Sequence, residues 1–267
     1  MTGHTLENRV AIVTGAGRGL GRAMVLGLAG AGVRVVATAA REAEELRQVA
    51  EDALARLGED RVLPLIADVT RQSDCDKVVT AALKHWKRLD ILVNNAGRGM
   101  KYVSERFLTE PARFWETDPD TWKMVIDTNV NGPFLMARAA VPHMIKARWG
   151  RIVNISMNLE TMRRRGFSPY GPSKAALESE TIIWSQDLED TGVTVNALLP
   201  GGATATGMIP DGLSEEIRAQ LLDPEVIVPP LLWLVSSEGD DITGRRLIAN
   251  RWDSNDPEAG MEEAGWS

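Results

Sequence analysis

The chain has 267 residues, a single cysteine and a formal net charge of −7. This acidity argues against nucleic acid or an anionic membrane as the main partner, and no apolar run approaches the roughly 20 residues that cross a bilayer. Cys75 cannot form an internal disulfide, and the first residues lack a charged start followed by an apolar core, so a reducing cytoplasmic location is expected.

Arg9-Val10-Ala11-Ile12-Val13 is an apolar run that predicts a buried strand over 9–14. A glycine-rich turn, Thr14 to Gly21, leads from it into a helical pattern over 19–31. Further strands are expected at 33–38, 61–67, 89–94, 150–156, 193–199 and 245–249, with helices at 41–57, 73–86, 119–147, 169–191 and 224–236. This alternation predicts an α/β fold: a Rossmann-type three-layer αβα sandwich with a seven-stranded parallel sheet, forming one domain over 1–267. Asp118-Pro119 combines a capping acid with proline at the first helical position. The segment between Gly97 and Asp118 is longer than a simple connection. Its aromatics either wall a substrate pocket or anchor a surface loop. Arg163-Arg164-Arg165 suits an anionic substrate or an exposed loop tip. Residues 253–267 are acidic and read as an irregular extension. His4, His85 and His143 are scattered, so no metal site is expected.

Two motifs carry chemistry. Strand, glycine-rich turn and helix is the context of a dinucleotide site. Gly15 allows a tight turn, Gly19 lets the backbone approach a pyrophosphate, and Gly21 lets the helix pack closely on the sheet. Leu20 then lies where the helix N-terminus offers N–H groups and a positive dipole end. Downstream, Tyr170 and Lys174 stand four residues apart at a helix start, on one face. An ammonium beside a phenol lowers its pKa from about 10 toward the working range.

The chain resembles the short-chain dehydrogenase/reductase family along nearly its whole length. Besides the two motifs, Asp68-Val69 follows a strand, Asn94-Asn95-Ala96-Gly97 follows another, Asn129 occupies the active-site asparagine position, and Pro200-Gly201 follows the strand ending at Leu199. The resemblance implies an oxidoreductase that moves hydride between a nicotinamide and a small-molecule carbonyl/alcohol pair. Tyr170 would exchange the proton, Lys174 would lower its pKa and hold the nicotinamide ribose, and Asn129 would hold a water. Asp68 and Val69 would bind adenine, Asn95, Ala96 and Gly97 would line the adenosine ribose, and Thr204 or Thr206 would reach the carboxamide. The segment 201–223 would be a substrate lid. A homo-oligomer, dimer or tetramer, is implied through the helices holding Asn129 and Tyr170, with Met136, Ile182, Ile183 and Trp184 facing outward.

Two departures from the family pattern stand out. The family's serine, thirteen residues before the tyrosine, is Met157 here, which can donate no hydrogen bond. Ser156 is the nearest candidate, but side chains alternate along a strand, so a bulge would be needed to turn it in. Asn158, Ser168 or a water are other possible donors. A dinucleotide-binding scaffold with weak or no catalysis is therefore the rival reading. The second departure is Ala39, where NAD enzymes of the family place an acid. Arg18 and Arg41 could grip a 2′-phosphate instead, so NADP is the expected cofactor, with NAD possible.

Overall fold

A computed structural model of the chain describes residues 6–210 and 214–265. The expected N-terminal His4, part of the lid (211–213) and the last two tail residues lie outside the described residues.

The strands are β1 (Val10–Thr14), β2 (Arg34–Ala39), β3 (Val62–Ile66), β4 (Ile91–Asn94), β5 (Gly150–Ile155), β6 (Val193–Leu199), β7 (Arg245–Ile248) and β8 (Met261–Glu263). They form one sheet in the order β3-β2-β1-β4-β5-β6-β7-β8. The first seven run parallel, as the alternating pattern predicts. The eighth is an addition: the tail, read as irregular, turns back and pairs antiparallel with β7, setting Arg246 opposite Glu262. Its short, charged sequence has no strand periodicity, so only the waiting edge of β7 makes it a strand. Pro64 sits within β3, which is tolerable because β3 is an edge.

Successive strand residues feed opposite cores, which is why the strands are apolar throughout. Ala11, Val13, Val35, Val93 and Leu198 pack on one face with Met24 and Leu28 from helix α1 (Gly19–Gly30). Val10, Ile12, Val36, Leu92 and Ile152 pack on the other with helix α3 (Gln72–Trp86) and the inner side of a later helix. Helix α2 (Ala43–Leu57) follows β2 and buries Leu46, Val49 and Ala53, as expected of a solvated helix.

The helix expected over 119–147 is split. Helix α4 (Pro119–Ile126) starts on Asp118, whose Oδ2 accepts from Thr121 N at 2.8 Å. A π-helical turn, Asp127–Asn131, follows, then α5 (Gly132–Ala147). Such turns often re-aim a side chain at a functional site. Helix α6 (Leu159–Met162) precedes α7 (Tyr170–Asp187), and α8 (Glu215–Arg218) and α9 (Val228–Val235) complete the described helices. Met136 is 1% exposed and faces the core, so it cannot take the outward role expected of it, whereas Ile183 is 51% exposed. No described helix is long and apolar enough to cross a membrane.

Candidate active site

The glycine turn closes a cradle with no room for side chains. A Cβ on Gly15 would lie 2.8 Å from Ala96 Cα, and one on Gly21 would lie 2.1 Å from the Gly15 carbonyl oxygen. Gly15 and Gly19 also hold positive φ, 64° and 53°. Asn95 pins the turn from the next strand: its Nδ2 donates to the carbonyls of Thr14 and Gly15 at 2.8 and 2.9 Å. Helix α1 then begins without a side-chain cap or any acid in its first turn. Helix α4, by contrast, is capped by its own Asp118. The open start of α1 leaves N–H groups and a positive dipole end for an anion.

A cleft of about 270 Å³ opens above this turn. Its lining includes Gly15, Arg18, Gly19, Leu20, Gly21, Arg41, Asp68, Val69, Asn95, Ala96 and Gly97. Burial works against ionisation of Asp68, but bonds from Thr70 and the charges of Arg71 and Arg98 hold its carboxyl below the usual range. Thr206 also lines the cleft, whereas Thr204 does not. Thr204 is buried in a bridge with Leu222. The doubled glycine after Pro200 shifts the register by that much. Pro200 and Gly201 follow β6 outside the cleft lining, and Gly201's carbonyl accepts from Asn158 and Asn250. A larger open groove, about 910 Å³, is lined by Leu6, Trp233 and Trp252 among others and shares no residue with the cleft.

The segment after Gly202 reaches across the cleft. A Cβ on Gly19 would meet Thr206 Cγ2 at 2.9 Å, and one on Gly99 would meet Met208 Sδ at 3.3 Å. Gly19 is thus tight against Thr206, and Met208 rests on the loop after β4.

Asn129 is fully buried by the π turn and used up by its neighbours. Its Nδ2 donates to Arg98 O at 3.0 Å and to Ser173 Oγ at 2.9 Å, and its Oδ1 accepts from Arg98 N at 2.8 Å. The side chain therefore ties the cleft wall to helix α7 one residue before Lys174. Both side-chain N–H groups are engaged, so a water on Asn129 would have to donate to it. Ser173, which sequence reading passed over inside the Tyr170–Lys174 motif, donates in turn to Tyr170 O at 2.7 Å.

Tyr170 opens α7 and packs against an apolar cluster of Met100, Phe107 and Phe167, together with Met157. The long segment after Gly97 supplies most of that cluster: Met100 and Phe107 turn inward, while Phe114 and Trp115 stay exposed. Lys174 is 4% exposed, its Nζ donating to Ile155 O at 2.7 Å and lying 5.9 Å from the Tyr170 ring centre. Burial pushes the Lys174 ammonium down to about 8 against an opposing pull from Glu178. Burial pushes the Tyr170 phenol up to about 12. Burial thus outweighs the depression of the phenol pKa expected from the motif, and Lys174 Nζ donates to a backbone carbonyl.

The structure does not bring Ser156 to Tyr170. Its Oγ donates to Glu178, which is two helical turns, about 12 Å, along α7 from Tyr170. Glu178 is 1% exposed and also accepts from Arg246 Nε at 3.4 Å and Gly265 N at 3.2 Å. Arg246 in turn donates to Met157 O at 2.9 Å and Glu262 Oε2 at 2.8 Å. Residues 155–157 are therefore held one by one, by Lys174, Glu178 and Arg246. No bulge is needed or present, and Asn158 is committed to Gly201. The i,i+4 spacing of Lys174 and Glu178 was the available signal for this network. Its partners Arg246 and Glu262 come from the far end of the chain and gave none.

Arg18 is paired with Glu45 at 3.4 Å, both side chains well exposed, and Arg41 is exposed beside them. Glu42 and Glu45 also line the cleft, so acids absent from the end of β2 re-enter from the start of α2.

A family profile described as short chain dehydrogenase matches residues 9–216. The chain belongs to the short-chain dehydrogenase/reductase family. Members of this family are NAD(P)-dependent oxidoreductases, and the glycine cradle, the open start of α1 and the cleft fit such a cofactor. The chain is 30% identical over 247 residues to the 3-oxoacyl-(acyl-carrier-protein) reductase FabG of Thermotoga maritima, covering 90% of this chain and 95% of that one. It is 32% identical to a (2S)-((R)-hydroxy(phenyl)methyl)succinyl-CoA dehydrogenase subunit of Thauera aromatica, covering 91% and 95%. A solved chain from Sinorhizobium meliloti, described as a short-chain alcohol dehydrogenase, superposes with a TM-score of 0.80 at 29% identity, covering 92% and 96%. The profile ends before Arg246, Glu262 and the rest of the tail network.

Proposed function

We propose that this chain is a single-domain, NADP(H)-linked reductase of an apolar carbonyl compound, with Tyr170 as proton donor. The observation that carries the reading is Tyr170 and Lys174 on one turn of α7, tied to the glycine-cradled cleft through Asn129 and Arg98. Nicotinamide, when bound, supplies the hydride. The chain supplies the rest. Burial keeps the Tyr170 phenol protonated at neutral pH, the form from which a proton can pass to an oxygen that gains charge. Lys174 is charged below about pH 8 and would hold the ribose. Met100, Phe107, Met157 and Phe167 favour an apolar group beside the reacting carbon. The oxoacyl substrate named for the Thermotoga relative is of that class. Segment 201–223 acts as the lid. Exposed Phe134 and Ile183 on α5 and α7 are the basis for a homo-oligomer, and a solution mass equal to one chain would refute it.

One observation favours the rival, a dinucleotide-binding scaffold: the two donors nearest Met157 in sequence, Ser156 and Asn158, are both engaged elsewhere. NADPH oxidation across oxoacyl thioesters, ketones and aldehydes decides between them. The reductase reading expects turnover that Tyr170→Phe lowers by about 10²–10⁴ while NADPH binding changes less than about twofold, since only a hydroxyl is lost. NADPH binding without turnover on any carbonyl would leave the scaffold.

A further inference from the structure

We infer that Arg98 and Tyr102 form a stacking shelf for the purine ring of the bound dinucleotide, on the cleft wall beside Asp68. This rests on the dinucleotide reading and adds two residues to it.

The base of the shelf is fixed. Asn129's amide bonds both the N–H and the carbonyl of Arg98, at 2.8 and 3.0 Å. The side chain is oriented by its neighbour, with the guanidinium carbon 4.7 Å from the centre of the Tyr102 ring. Both residues line the cleft. Tyr102 is nevertheless 50% exposed, and Arg98 Nε is buried without a hydrogen-bond partner. A half-exposed aromatic face that flanks a cleft and is backed by a guanidinium plane is what a purine stacks on.

The charges choose between a purine and a phosphate. Arg98 acts on the Asp68 carboxylate. A phosphate placed between them would be repelled by Asp68, whereas a neutral purine would offer that carboxylate its amino group while stacking on the guanidinium. Phosphates have other cations in Arg18 and Arg41 across the cleft.

Calorimetric titration of NADPH, NADH and ADP-ribose into the full chain tests this. Arg98→Ala should weaken all three by roughly tenfold or more, because all carry adenine. Arg98→Lys should recover little of the loss, since it restores charge without a plane. Tyr102→Phe should bind like the wild type, since the ring face is kept, and Tyr102→Ala should lose severalfold. Melting curves matching the wild type would show that the variants remain folded. If Arg98→Ala binds all three within about twofold of the wild type, the shelf does not exist. A loss confined to NADPH also overturns it, because Arg98 would then read the 2′-phosphate. If the wild type binds none of the three, the dinucleotide reading itself falls and takes the shelf with it, an outcome distinct from tight binding that is indifferent to Arg98.

Discussion

The two rims of the parallel sheet are built in opposite ways. At the N-terminal ends of the strands, Asp90 is 3% exposed and accepts four hydrogen bonds, from Arg9, from Val10 N and twice from Arg88. Trp149 lies between the guanidinium groups of Arg9 and Arg151, at 3.6 and 4.1 Å, and Arg151 is paired with Asp240. At the C-terminal ends, glycines replace side chains, α1 starts uncapped, and Arg98 Nε and Asn94 Oδ1 are buried without partners. Each rim also leaves buried polar atoms without partners, Arg151 Nε and Thr194 Oγ1 at the first and Arg98 Nε and Asn94 Oδ1 at the second, so the contrast lies in the charged network of one against the glycine turn and uncapped helix of the other. Open α/β sheets bind ligands outside the C-terminal ends of their strands, and the side-chain-free turn with its uncapped helix marks that end here.

The largest effect expected is on the closed rim. Asp90→Ala would leave Arg9 and Arg88 unpaired and Val10 N–H without its acceptor. Removing one partner of a buried ion pair costs about 3–5 kcal/mol, and the partial exposure of both arginines puts this site near the lower figure. The melting temperature should drop by roughly 6–12 °C, while NADPH affinity in the folded variant stays within about twofold. A matching loss of cofactor affinity would show that the two rims are coupled and the contrast between them false.

Next in size is the vacancy opposite Tyr170. Met157 packs beside the tyrosine, with its carbonyl held by Arg246. Met157→Ser keeps that backbone bond and adds a hydroxyl where the family has one. A donor of this kind is worth about 10²–10³ in turnover, so a gain of about tenfold or more is expected after some loss of packing. Ser156→Ala is the control: it removes a bond to Glu178, so it should lower stability by about 1 kcal/mol and leave turnover nearly unchanged. A large loss of turnover in Ser156→Ala would show that Ser156 reaches substrate after all.

A smaller effect separates the buried lysine from the surface ones. Burial lowers Lys174 to about 8 from its ordinary 10.5. Between those values the unfolded chain holds a proton that the native chain has released. Native stability therefore rises with pH across that window, by up to about 1.4 kcal/mol per unit, and this contribution is lost as pH falls toward 8. Lys174→Met removes the group, so the wild type should gain on this variant in melting temperature from pH 8 to 10. Parallel curves for the two proteins would mean that the ammonium is hydrated.

The layout of the molecule was legible because its signals are local. Alternating strand and helix patterns gave seven strands within a residue or two, and the motifs placed the cleft residues from Gly15 to Gly97 on one surface. What was missed depends on distant partners. β8 exists because β7 offers an edge, and Glu178 binds Ser156 in a network that Arg246 and Glu262 complete from the chain's end. The phenol shift was misjudged because i,i+4 spacing shows neither the burial around Tyr170 nor the direction of the ammonium, which Ile155 O takes. Thr204 and Thr206 differ only in how a doubled glycine turns, and spacing cannot read that.

The smallest effect concerns the cation that the open rim has partly spent. Arg18 faces Glu45 at 3.4 Å with side chains 60% and 37% exposed, a pair of the kind worth about 0.2–1 kcal/mol. A 2′-phosphate would compete for Arg18 and would also meet the negative charge of Glu45. Glu45→Gln removes both obstacles without changing the side chain's size. NADPH affinity should rise about three- to fivefold at low salt, while NADH affinity, with no phosphate to feel the change, stays the same. The gain should fade near 1 M salt, where the screening length is about 3 Å. Arg18→Ala in the same background should abolish it. An equal gain for both cofactors would mean that Glu45 repels the shared pyrophosphate, and no gain would mean that Arg18 stays in solvent and does not select NADP.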